Sequence, residues 1–236
     1  MDTIYYIVLI PMVYVAFAVF LIGSCVRLIS IFKTPNHPSS LQIFPEKKPK
    51  WLWALRDTIF LPSVFKHKPA LWFFLMMFHV SFFFMFIGHI ELIAPPNIFQ
   101  VIEHDIFLGK GYIGLILSVC LIFFLFRRFI SPYRELSVPE DYYFLILLFL
   151  TVLFGSQLDW ARRLYGYEEL SVEGYREYLL GILSLKPALS VDIMNSGHSF
   201  VLVLHVFFAN LFLMFFPFSK ITHSFFSLAM NKLKRG

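Results

Sequence analysis

The chain has 236 residues, of which 58% are hydrophobic and only 15% charged, and 31 are Phe. A globular domain usually carries about 25% charged and about 45–50% apolar residues, so the excess here is more apolar surface than one soluble core can hide. Disorder, a disulfide-stapled secreted fold and an ordinary soluble enzyme are excluded, which leaves a polytopic membrane protein surrounded by lipid. The net charge of +5 then reports topology, and no nucleic-acid partner is expected. Cys25 and Cys120 lie in apolar runs without CxxC spacing and read as packing residues.

A spanning helix needs about 20 mainly apolar residues to cross about 30 Å of hydrocarbon. Five stretches meet or approach that length, which predicts an all-α bundle forming one membrane domain over residues 1–236. The first runs over 4–26 with no charge; it is too long, and lacks the basic flank, for a cleaved signal peptide. A Pro- and Lys-rich loop over 33–68 follows. Its WLWALRDTIFLPSVF stretch predicts an amphipathic helix at the membrane interface, with Trp51 and Trp53 at headgroup level. The second span, 70–94, is bounded by Pro69 and by Pro95-Pro96, and the third, 106–126, ends at Arg127-Arg128. The fourth, 142–158, is the shortest and borrows residues at its ends. An acidic loop over 159–196 comes next, with a short helix predicted near 172–184, and then the fifth span, 197–218.

Five spans place the N-terminus with the second and fourth loops, and the C-terminus with the first and third. Of the 20 Lys and Arg, 15 fall on the C-terminal side. The positive-inside rule assigns that side to the cytoplasm, so the expected topology in the inner membrane is N-terminus out and C-terminus in.

Eight histidines are present, and four lie inside apolar runs: His79 and His89 in the second span, His205 and His223 in or just after the fifth. An ionisable side chain within a span is costly and points to function. The bland alternative for any one of them is a helix–helix hydrogen bond. His205 and His223 are 18 residues apart, five full turns, so they share a face about 27 Å apart along the axis. His79 and His89 are 10 apart, about 15 Å, and rotated by roughly 80°. The two helices are antiparallel in the predicted topology, so His89 meets His205 near the outer face and His79 meets His223 near the inner. Two imidazoles in an aromatic surround suit the iron of a b-type haem. The axial spacings differ by about 12 Å, which helix tilt and a kink at Pro217 must absorb. One tetrahedral zinc or copper ion would need all four histidines to converge, which this spacing forbids without unwinding a helix.

The segments FHVSFFFMFIGHIE (78–91) and HVFFANLFLMFFPFSKITH (205–223) resemble the two haem-bearing helices of the respiratory nitrate reductase gamma subunit family. The resemblance rests on a His-x9-His pair, a His-x17-His pair and a PFS-basic-hydrophobic stretch before the last His, matched by Pro217, Phe218, Ser219, Lys220 and Ile221. It implies a dihaem cytochrome b of five spans, with His89 and His205 on the outer haem iron and His79 and His223 on the inner. The long first loop and the acidic fourth loop are closer to the branch that works with iron–sulfur subunits of the heterodisulfide-reductase type. His198 is a rival for His205, seven residues away and within about 20° of the same face; the 18-residue spacing favours His205.

The resemblance further implies oxidation of a quinol, menaquinol by preference, or reduction of the quinone, beside the outer haem. Gly88, next to His89, would let a ring approach closely. Lys110 matches a Lys that assists quinone binding, or else snorkels to the interface. Glu91 is a candidate proton acceptor, or else an ordinary polar helix end. Arg27, Arg127, Arg128, Arg134 and Lys220 on the inner side, and Arg162 and Arg163 on the outer, are candidates to meet haem propionates. The chain has no motif for a terminal acceptor. A cytoplasmic iron–sulfur subunit is therefore the expected partner, docked on the basic first loop and C-terminus, with further membrane and outer-face cytochrome c subunits compatible with the family. A His-lined transporter or channel and a non-redox membrane anchor are the competing functions.

Overall fold

A backbone in hydrocarbon satisfies its N–H and C=O groups only by pairing them internally, and isolated apolar runs do so as helices. The computed structural model describes residues 2–33, 48–93, 112–165, 172–189, 193, 199–220, 227, 228, 230–232 and 234, which form helices and turns without a strand among them. In chain order the helices are α1 (Asp2–Leu9), α2 (Pro11–Phe32), α3 (Lys50–Phe60), α4 (Pro62–His67), α5 (Pro69–Ile93) and α6 (Tyr112–Arg128). They continue with α7 (Tyr133–Leu136), α8 (Pro139–Tyr165), α9 (Val172–Leu183) and α10 (Ser199–Phe215), which ends in a 3₁₀ turn at Phe216–Phe218.

Among the described residues four segments are long and apolar enough to cross a membrane: Thr3–Ser30, Pro69–Ile93, Pro139–Leu158 and Ser199–Phe218. They make this an all-helical integral membrane protein, and the large apolar side chains exposed on them, such as Phe73, Phe83 and Phe86 of α5, are those lipid would cover. The helix α6 has 17 residues and starts where the described residues resume, so the predicted start at 106 lies outside them. The fourth span, expected over 142–158, starts at Pro139 and lies within the 27 residues of α8. Pro139 supplies a preset φ at the first helical position, and Glu140 and Asp141 in the first turn suit the positive end of the helix dipole.

The first span is broken between α1 and α2. Pro11 has no N–H to donate and its ring crowds the preceding turn. The carbonyls of Val8 and Leu9 beside the break are taken by side chains instead: Asn210 Nδ2 donates to Val8 at 3.2 Å and Tyr178 Oη to Leu9 at 2.6 Å. Tyr14 Oη returns a bond to the Ile182 carbonyl at 3.0 Å, and Arg176 Nε donates to the Leu92 carbonyl at 3.1 Å. The helix α9, found where a short outer helix is predicted, is thereby fastened across the ends of α2 and α5.

Packing runs in a row, α5 on α6, α6 on α8, α8 on α10 and α10 on α2. One buried cluster, including Leu9, Val13, Tyr178, Ile193 and Leu202, lies under α9; a second joins Leu117 and Leu121 of α6 to Leu148 and Val152 of α8. The α6–α8 approach depends on Gly114, where an added Cβ would overlap Ser156 Oγ, as small residues allow in membrane helix pairs. Cys120 is fully buried in α6, as a packing residue would be.

The opposite end of the bundle is joined by charges. Asp141 pairs with Arg128 at 3.2 Å and with Lys220 at 3.3 Å. Arg27 Nε donates to the Pro217 carbonyl at 3.2 Å. Lys68 donates to the Tyr133 hydroxyl at 2.8 Å, Arg127 lies 3.6 Å over the same ring, and Arg134 pairs with Glu135 at 3.2 Å. The Lys68 and Arg127 hydrogen bonds hold the Tyr133 phenol below its ordinary pKa. The inner cations considered for propionates thus all have protein partners. The side chains of Arg162 and Arg163 lie outside the described residues.

The first loop departs from expectation in one respect. In place of one amphipathic helix over 51–65 there are two, α3 and α4, separated at Leu61, whose φ of 45° is left-handed. The cause is Pro62, which disfavours the α conformation in the residue before it.

Candidate functional site

Among the described residues α5 and α10 share no substantial direct packing; each leans on the neighbours that close the row. The helix α5 is the most open of the spans, buried on a face that includes Ser81, Gly88 and Glu91. Across the gap His89 of α5 faces His205 of α10, with ring centroids 6.2 Å apart and planes inclined by 30°. Of the four predicted histidines the structure therefore brings together His89 and His205. His79 lies on α5 with its ring in edge contact with Phe78 at 5.4 Å. His223, His198 and Lys110 lie outside the described residues.

The tautomers follow from the carbonyls the rings meet. His89 Nδ1 is 2.8 Å from the Met85 carbonyl and His79 Nδ1 is 2.7 Å from the Leu75 carbonyl, each one turn back on α5. His205 Nδ1 is 2.9 Å from the Thr151 carbonyl of α8. A carbonyl oxygen only accepts, so Nδ1 carries the hydrogen in each neutral ring and Nε2 keeps a lone pair. This is the usual state of a metal-ligating imidazole, fixed by a second-shell bond at the other nitrogen.

The spacing of the facing rings fits an ion held between them. Two metal–nitrogen bonds of about 2 Å each, with roughly 1 Å from each nitrogen to its ring centre, sum to about 6 Å. Two opposed imidazoles match the axial positions of a haem iron. Among the described residues no three His, Cys, Asp or Glu side chains gather as a small tetrahedral ion would require. The donor set and the gap between α5 and α10 thus fit a bis-imidazole macrocycle better than a compact metal site.

The helix α8 positions His205 twice over, and neither contact is apparent from sequence. Besides the Thr151 carbonyl, Gly155 lies under the ring: a Cβ there would stand 2.8 Å from His205 Cε1 and 3.0 Å from Nδ1. Phe208, one turn beyond His205, stacks on Phe154 with centroids 5.6 Å apart and planes within 4°. The one available signal was Gly155 itself, a glycine inside an apolar span, which commonly marks close approach. Gly88 is buried on α5 next to His89, and Glu91 is buried at the same end of the helix.

Similarity to known proteins identifies the family. Residues 62–236 match the family model described as nitrate reductase gamma subunit, from α4 to the C-terminus. The first span, which the resemblance in sequence had included, precedes the matched segment. Two curated relatives extend over most of the chain. One, from Archaeoglobus fulgidus, is named Hdr-like menaquinol oxidoreductase cytochrome b-like subunit and is 25% identical over 92% of this chain and 77% of its own length. Its namesake from Archaeoglobus profundus is 24% identical over 89% of this chain and 73% of its own. With three quarters of its length inside the family model, and with two histidines set face to face between helices of that segment, the chain belongs to the nitrate reductase gamma subunit family.

Proposed function

We propose that the chain is the dihaem cytochrome b subunit of a respiratory membrane complex, passing electrons between the quinone pool and a cytoplasmic iron–sulfur partner. The observation that carries this reading is the His89–His205 pair, with both Nδ1 atoms committed to main-chain carbonyls. His89 and His205 would hold the outer haem b, and His79 and His223 the inner. When bound, each haem supplies a one-electron iron couple.

The chain's own residues do the rest. The Met85 and Thr151 carbonyls fix the tautomer and the aim of the ligand rings, and the Phe154–Phe208 stack keeps the surround apolar. Glu91, buried two residues beyond His89, takes a proton from the quinol, and Lys110 binds a quinone oxygen. Gly88 gives the ring room to approach. Menaquinol is the preferred substrate, in keeping with the names of the two archaeal relatives. The same names favour an iron–sulfur partner of the heterodisulfide-reductase type. The proposed topology has five spans, with α6 and the residues before it as the third, in the cytoplasmic membrane. The N-terminus is outside, and the end carrying Arg27, Arg127 and Arg128 is inside.

The test is a pyridine haemochrome assay on the purified chain. About two b haems per chain are expected from two bis-imidazole pairs. None would leave a His-lined transporter or a non-redox anchor.

A further inference from the structure

The helices α3 and α4 form a second candidate site at the basic end of the bundle, at the opposite end of α5 from His89. Trp72, on the first turn of α5, donates its indole N–H to the Phe60 carbonyl at 2.7 Å, and its ring meets Phe65 at 4.8 Å. This fixes α3 and α4 at the mouth of a membrane span. The C-terminal segment closes the other side, with Asn231 Nδ2 donating to Thr58 Oγ1 at 3.0 Å.

Between them lies a hollow of about 540 Å³ whose lining includes Arg56, Asp57, Lys66, His67, Asn231 and Lys234. It has three permanent cations against one carboxylate, and no ion pair engages Lys66, His67 or Lys234 among the described residues. A separate groove of about 250 Å³ runs along α3 and is lined by Leu52, Ile59, Phe60 and the same Arg56. Arg56 therefore borders both a cationic hollow and an apolar groove, held over the Trp53 ring at 5.0 Å. Trp51, Phe60 and Phe65 stay exposed around it.

We propose that the hollow binds the phosphate headgroup of an anionic phospholipid, with an acyl chain lying in the adjoining groove. The charge excess selects a phosphate that carries net negative charge over a zwitterionic headgroup. The apolar groove and the exposed aromatic rim, set where α5 enters the membrane, select a lipid over a free anion or a polar protein surface. The site is independent of the haem reading, since it shares no residue with it.

The test titrates delipidated full-length protein in detergent with phosphatidylglycerol, phosphatidylcholine or inorganic phosphate, read by native mass spectrometry and thermal melting. Phosphatidylglycerol is expected to bind roughly ten-fold more tightly than phosphatidylcholine and to raise the melting temperature, whereas phosphate does not. The R56Q/K66Q/K234Q variant is expected to lose that preference. Equal binding of the two lipids, or equal protection by phosphate, overturns the proposal whether or not the variant folds, and so does a variant that keeps the preference. Lack of lipid selectivity combined with loss of a co-purifying subunit from the variant would assign the cations to a protein partner instead.

Discussion

The two ends of the bundle are built from different chemistry. At the end that holds His89 and His205, uncharged donors join the elements at several points: the phenols of Tyr178 and Tyr14 and the amide of Asn210 each donate to a main-chain carbonyl, as does the charged Arg176. The other end adds ion pairs to its neutral bonds, centred on Asp141 between Arg128 and Lys220. Buried neutral bonds are insensitive to salt, whereas exposed ion pairs are screened within a Debye length of about 10 Å at 0.1 M. The difference separates an end fastened largely by uncharged donors from a rim whose ion pairs respond to salt. Burial raises the Tyr178 phenol well above its ordinary pKa, so it stays a donor throughout the working range.

The largest effect that would break this contrast is expected at Gly155. Valine there drives a side chain into the His205 ring, so G155V should lose or distort the outer haem spectrum and cost about 1–3 kcal/mol in thermal stability. A normal spectrum would show that α8 does not position the ligand. Next comes Y178F, which leaves the Leu9 carbonyl beside the Pro11 break without its donor; about 1–2 kcal/mol should be lost in detergent melts, equally at low and high salt. D141N should cost less, about 1 kcal/mol, because Lys220 is 61% exposed and its pairing is solvent-screened. That loss should shrink as salt is raised, and a salt-independent loss would remove the distinction between the ends. Smallest in stability is K110A, which should leave both haems bound and slow their reduction by a quinol analogue; unchanged kinetics would make Lys110 an interface anchor.

Much of the bundle is legible in the sequence because hydrocarbon permits so few backbone solutions. Apolar length gives four of the five expected spans among the described residues, and Pro69 and Pro139 mark helix starts within a few residues of the expected ones. His89 and His205 stand out because an ionisable ring in a Phe-rich run has few reasons to be there. The remainder depends on contacts without a residue-type signature. The Thr151 carbonyl that orients His205 could belong to any residue at that position, and Gly155 acquires meaning only once α8 and α10 cross. Asn210 and Tyr178 serve carbonyls released by a break two hundred and one hundred and seventy residues away, roughly speaking, a relation that no local period records. The split of the interfacial helix at Leu61 was readable, since Pro62 follows it, but the amphipathic pattern on either side masked the boundary.

In the proposed function α5 and α10 share one haem through His89 and His205. Potentiometric titration of H89A and H205A, each compared with the unmodified protein, tests it most directly. Both substitutions are expected to abolish the same one of two redox transitions and to leave the other unshifted within experimental scatter. Loss of different transitions from the two variants, or retention of both in either, would contradict the shared site.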